Sequence, residues 1–215
     1  MPGSQVKEPM TSTSSEKKIW DQTAEMHGNF SVPLSKKISA QFIDRPTEIV
    51  ALLSRYKFSA KLGAKKGHIL EIGCGAGFGA PILGEFADSY LGIDEDGDEI
   101  ESAQNNLSPP KFHFARSTFI GQKFRLFDGI ISITGTPLNQ NRFEPFLKTI
   151  LGNLNENGII VLGYKNALDF DIHPILGNLF HQTFLFSMNQ EILFSGHSNH
   201  SEYCFCVSFH RKSYE

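Results

Sequence analysis

Three cysteines in 215 residues are too few, and too poorly placed, to cross-link a fold. Cys74 lies inside a glycine-rich segment, while Cys204 and Cys206 are one residue apart and would share a strand face without reaching each other. An odd count with no framework fits the reducing cytoplasm, which is the expected location. The chain also lacks any apolar run of about 18 residues, and its N-terminus lacks the apolar core of a signal peptide, so no membrane partner is expected. Strong charge of either sign is missing: the formal net charge is −3, and the Lys pairs at 17–18, 36–37 and 65–66 are scattered. A dedicated nucleic-acid binder would carry a basic stripe, so no nucleic-acid partner is expected. There is one Trp against 19 Phe, which predicts a Phe-packed interior.

At this length the chain makes one domain of ordinary size with a short appendage. Residues 1–18 are polar, Ser/Thr-rich and without periodicity, the composition of a disordered tail. Residues 19–45 hold Trp20, Met26, Phe30, Ile38, Phe42 and Ile43, too apolar for a free tail, and read as a helical lid. Ile49, Val50, Leu52, Leu53 and Tyr56 follow the helical period after Pro46. Strands are expected at His68–Ile72, Tyr90–Asp94, Phe112–Phe114, Phe127–Ile133 and Ile159–Tyr164. Helices are expected from about Gly79 to Ala87, from Asp98 to Leu107, and over 142–154 and 173–182. Two last strand-like runs, 183–194 and 203–210, flank a polar loop as a hairpin would. The alternation gives an α/β fold, doubly wound, with a mostly parallel seven-stranded sheet and an antiparallel C-terminal strand.

The informative segment is Leu70-Glu71-Ile72-Gly73-Cys74-Gly75-Ala76-Gly77, an apolar strand running into a glycine turn. Such a turn lets backbone approach a ligand where no side chain would leave room. Gly92-Ile93-Asp94 follows one strand–helix–strand unit later, where the next strand ends and a carboxylate can hold two ribose hydroxyls. Phe127-Asp128-Gly129-Ile130-Ile131 and Leu154 to Val161 come after in the same order.

Over roughly residues 46–164 these segments resemble the class I S-adenosylmethionine-dependent methyltransferases. The resemblance implies a Rossmann-like methyltransferase domain over 46–215, S-adenosylmethionine as cofactor, and transfer of a methyl group. It also implies that Glu71, Gly73, Cys74, Gly75 and Gly77 line the methionine and ribose, with Glu71 near the ammonium group. Asp94 would accept from the ribose hydroxyls, Glu95 would flank the adenine, and Ile133 and Thr134 would back the methionine. Many members carry an Asp after the third strand; Ser117 stands there here, so Ser117 or Thr118 would meet the adenine amino group. A nicotinamide fingerprint would need a third glycine where Phe78 stands. An NAD-dependent oxidoreductase is therefore the lesser alternative, beside a non-catalytic cofactor-binding module with a degenerate site.

No residue announces itself as a general base. His27 in the lid, Thr134 after the fourth strand, and Tyr164 and His173 after the fifth are the candidates. The Asn/Asp-Pro-Pro-Tyr segment of amino-methylating nucleic-acid enzymes is absent, since the chain reads Thr134-Gly135-Thr136-Pro137 there. A small-molecule acceptor, methylated on oxygen or nitrogen, is the expectation. Counting from Asp94, the acidic run puts Glu99 and Asn105 where a calcium loop needs Gly and Glu, so that reading fails. His197, His200, Cys204, Cys206 and His210 could ligate zinc, but the cysteines sit within a strand rather than on a knuckle, and no metal is expected.

Overall fold

The structure, a computed structural model, describes residues 17–19, 21–22, 34–63, 67–107, 109–137, 139–166, 168, 170–189, 192–196 and 203–212. Two compact units divide the chain, Met1–Pro33 and Leu34–Glu215. In the first, residues 17–19 and 21–22 are helical and exposed, so helix includes Lys17 and Lys18 of the expected tail. Trp20, Met26, His27 and Phe30 of the expected lid lie outside the described residues.

The second unit is built on one sheet in the order β3-β2-β1-β4-β5-β8-β6-β7. Strands β1 (His68–Ile72), β2 (Ser89–Asp94), β3 (Phe112–Arg116), β4 (Phe127–Ser132) and β5 (Leu154–Lys165) run parallel. β8 (Tyr203–Arg211) is antiparallel to β5, and β6 (Phe180–Asn189) and β7 (Ile192–Ser195) extend that edge antiparallel. The seven expected strands are joined by an eighth. The run expected as one strand over 183–194 contains the polar triplet Asn189-Gln190-Glu191; β6 ends at Asn189 and β7 resumes at Ile192. β6 also begins earlier than expected, because α6 (Ile172–Leu179) stops at Leu179.

Helices cover both faces, as continuous apolar strands require. On one face α2 (Pro46–Gly63), α3 (Ala80–Phe86) and α4 (Gly97–Asn106) set Leu52, Tyr56, Leu83 and Ile100 against Ile69, Tyr90, Ile131, Val161 and Phe205. On the other, α5 (Gln140–Asn153) and α6 set Phe143, Phe146, Ile150 and Leu176 against Leu70, Ile93, Ile130, Ile160 and Leu162. Alternation along β8 sends Cys204 and Cys206 to the α5–α6 face and Tyr203, Phe205 and Val207 to the other. Short α1 (Lys36–Asp44), N-capped by Ser35, precedes α2. Asp96 caps α4 by accepting from Asp98 N and Glu99 N, which places that acidic run at a helix start.

Candidate functional site

β1 ends at Ile72, and the chain folds back at once: Gly73 N and Cys74 N both donate to Ile93 O of β2, at 2.9 and 3.1 Å. Gly73 has φ +77° and Gly77 φ +75°, in the left-handed region that side chains avoid. A Cβ on Gly73 would also stand 3.2 Å from Gly135 N and 3.3 Å from Thr134 Oγ1. The turn is pinned from two sides. Thr134 Oγ1 donates to Gly73 O at 3.0 Å, and Gly75 N donates to Asp94 Oδ2 at 2.9 Å. Asp94 Oδ1 accepts from Asp96 N at 3.0 Å, so backbone fixes both carboxylate oxygens. Each retains lone-pair capacity for a further donor. Ser117 N donates to Asp94 O at 2.9 Å, and Ser117 Oγ donates to Thr118 O at 2.7 Å, leaving the hydroxyl oxygen able to accept.

These groups surround a cavity of about 620 Å³ at the C-terminal ends of β1 to β4. Of the residues expected from sequence, Gly73, Asp94, Glu95, Ser117, Thr118 and Thr134 border it. Lys37, Phe119, Ile120, Pro137, Arg142 and Phe146 border it as well and were not expected. Phe119 and Phe146 carry the signal of apolar core residues, and Lys37 and Arg142 that of solvated charge, so sequence pattern alone does not single them out.

Glu71, Cys74, Gly75, Gly77 and Ile133 are not among the residues that border it. Glu71 is wholly enclosed, and both its oxygens are taken: Tyr56 OH donates to Oε1 at 2.9 Å and Tyr90 OH donates to Oε2. Burial pushes its carboxyl up to about 7; the two phenols oppose that rise and the charge of Asp94 adds to it. Glu71 thus fastens α2 and β2 to β1. Gly92 makes room for this, since a Cβ there would lie 2.8 Å from both Tyr90 OH and Cys74 Sγ. Burial first, then Glu71 and Asp94, hold the Cys74 thiol far above its ordinary range, which suits packing and not nucleophilic attack. Gly77 lies against Phe114, and the carbonyl of Ile133 accepts from Tyr203 OH.

Among the four candidate bases, Thr134 borders this cavity with its proton committed to Gly73 O. Tyr164 and His173 border a different cavity of about 910 Å³ between the end of β5, α6 and β6. Strand alternation explains the separation: Tyr164 packs in the α5–α6 cluster, on the side of Cys204 and Cys206. Burial, then those two cysteines, hold its phenol protonated well above the ordinary range. His173 Nε2 lies 3.3 Å from Thr183 O. Among the described residues no His/Cys/Asp/Glu group could hold a metal; His197 and His200 lie outside them. No helix of the described residues is long and apolar enough to cross a membrane.

No family model and no curated protein matches the chain. Solved structures do. The chain is similar to a TehB-like SAM-dependent methyltransferase from Corynebacterium glutamicum, at 18% identity and TM-score 0.56, over 92% of this chain and 97% of that one. It is similar to the plantazolicin methyltransferase BpumL in complex with SAH, at 17% identity and TM-score 0.56, over 92% and 98% of the two chains. It is also similar to the N-methyltransferase NodS from Bradyrhizobium japonicum, at 18% identity and TM-score 0.54, over 79% and 99%. The shared feature is the architecture, the Rossmann-like methyltransferase fold.

Proposed function

We propose that this chain is an S-adenosylmethionine-dependent methyltransferase acting in the cytoplasm on a small-molecule acceptor, at oxygen or nitrogen. One observation carries the reading: the Asp94 carboxylate, fixed by Gly75 N and Asp96 N, borders the same cavity as the glycine turn. A cavity of about 620 Å³ suits a ligand of nucleoside–amino-acid size. In this reading Asp94 takes the ribose hydroxyls, Ser117, Thr118 and Glu95 meet the adenine, and Gly73 and Thr134 back the methionine. Glu71, Cys74, Gly75, Gly77 and Ile133 support those residues from behind. When bound, the cofactor supplies a methyl group on positively charged sulfur. The chain's work is then to align the acceptor and exclude water, which accounts for much of the rate of such a displacement. An acceptor that is nucleophilic in its neutral form needs no base from the protein. The fold shared with an N-methyltransferase and a plantazolicin methyltransferase supports this class of activity. The −3 charge and scattered lysines weigh against a nucleic-acid substrate.

A dinucleotide-binding sheet of the doubly wound kind runs parallel in the order 3-2-1-4-5-6. Here antiparallel β8 separates β5 from β6, which favours methyl transfer over hydride transfer. Calorimetric titration of the full chain with S-adenosylhomocysteine tests the proposal. Binding with a Kd on the order of micromolar, and none to NAD, is expected. The absence of S-adenosylhomocysteine binding would overturn the reading, and binding without turnover across a broad acceptor panel would leave only a cofactor-binding module.

A further inference from the structure

Beside the site already described, a cavity of about 900 Å³ opens between α1, the first half of α2 and the meeting ends of β5 and β8. Lys37 borders both cavities. Lys37, Arg45, Arg55 and Lys165 line the second one, together with the carboxylates Asp44 and Glu48. Glu48 is already occupied. Its Oε1 pairs with Arg45 at 2.7 Å, and its Oε2 accepts from Gln41 Nε2 at 3.0 Å. Among the described residues that line this cavity, Lys37, Arg55 and Lys165 therefore share the space with one carboxylate, Asp44.

Arg55 is the best-formed of the three. Its guanidinium lies 4.1 Å over the ring of Tyr203, which holds the fork in place. Its Nε is closed off from solvent and has no hydrogen-bond partner among the described residues. A buried donor without a partner is costly to keep unless something else meets it. Lys165 stands directly opposite Tyr203 in the β5–β8 pairing, so both side chains leave the sheet on the same face. Tyr203 in turn donates to Ile133 O, and the next residue, Thr134, donates to Gly73 O. Contacts therefore run from the guanidinium to the glycine turn, and Lys37 borders both cavities.

We propose that this second cavity receives the methyl acceptor by an anionic group, a carboxylate or phosphate, held by Arg55 and Lys165. A planar guanidinium matches both oxyanions with paired N–H donors, and Lys165 adds a point charge. The term acceptor rests on the methyltransferase reading; the anion site itself does not.

The test is a titration of the full chain, with and without S-adenosylhomocysteine, by phenylacetate, phenylphosphonate and the neutral isostere phenylacetamide. Affinity is followed by calorimetry, and the Arg55 Nε–H signal by nitrogen-15 NMR. At least one anion is expected to saturate and shift that signal, while phenylacetamide does not. Arg55→Met is expected to weaken the anion by about tenfold or more and to leave S-adenosylhomocysteine affinity unchanged. Lys165→Met, an exposed change that does not threaten folding, is expected to weaken it by about threefold. Equal binding of the neutral probe, no saturation by either anion, or indifference to both substitutions would overturn the proposal. So would a loss confined to S-adenosylhomocysteine, which would assign Arg55 to the cofactor's own carboxylate. Failure of S-adenosylhomocysteine to bind the wild-type chain would defeat only the methyltransferase reading, because the anion arm is read without it.

Discussion

Asp94 Oδ2 accepts a hydrogen bond from Gly75 N at 2.9 Å, across 19 residues of chain, and so locks the end of β2 onto the turn that leaves β1. The carboxylate therefore positions the backbone of the candidate site, and Asp94 borders the cavity. Asp94→Asn keeps the size but replaces one acceptor oxygen with a donor that opposes a backbone N–H. Loss of affinity for S-adenosylhomocysteine by tenfold or more is expected, in line with about 1–3 kcal/mol for an unmet buried partner. Calorimetry checks it. Unchanged affinity would remove Asp94 from the ligand's surroundings.

Gly73 combines two demands that alanine cannot meet together. Its φ is +77°, and a Cβ would press on Gly135 N at 3.2 Å. Left-handed backbone costs an ordinary residue about 1–2 kcal/mol, and here the neighbour to be displaced is main chain. Gly73→Ala is expected to lower stability by roughly that amount while abolishing measurable cofactor binding. A thermal melt paired with the same titration separates the two effects. Retained binding would mean that the turn is only structural.

Residue chemistry made one half of the site legible and hid the other. The glycine turn and Asp94 are readable because few residue types can do what those positions require, so type and spacing together decide. Lys37, Arg55 and Lys165 look like any solvated cation until α1, α2 and the ends of β5 and β8 bring them to one cavity. Tyr164 sits near the end of the expected fifth strand, but which face it presents depends on register, which a shift of one residue reverses, and it packs on the α5–α6 side. The eighth strand followed from a polar triplet inside an apolar run, a break that composition alone does not distinguish from a continuous strand.

Close approach, not backbone conformation, fixes Gly79. A Cβ there would overlap the ring of Tyr56, whose phenol donates to Glu71 Oε1 at 2.9 Å. Gly79→Ala must push Tyr56 off its partner, so overpacking and a weakened buried hydrogen bond combine. Destabilisation of about 1–3 kcal/mol is expected by urea unfolding. The double variant with Tyr56→Phe should cost less than the sum of the single changes, since both act on one contact. Strict additivity would show that the glycine and the tyrosine are independent.

Glu71 gives the fold a pH dependence whose sign can be worked out. Its carboxyl is raised from an ordinary value of 4.5 to about 7 in the folded chain, chiefly by burial. Between those values the folded state holds a proton that the unfolded chain has released. The contribution of this group to stability is therefore complete below about pH 4.5 and falls as pH rises toward 7, after which it is flat. Each unit of such a rise corresponds to about 1.4 kcal/mol, so the fall is on the order of 3 kcal/mol. Glu71→Gln cannot titrate, and its amide can still accept from one phenol and donate to the other. Urea unfolding at pH 5 and pH 8 should show the wild-type chain losing stability relative to the variant on the way up. Parallel losses in the two proteins would mean that Glu71 is ionised throughout, held charged by Tyr56 and Tyr90 against the cost of burial.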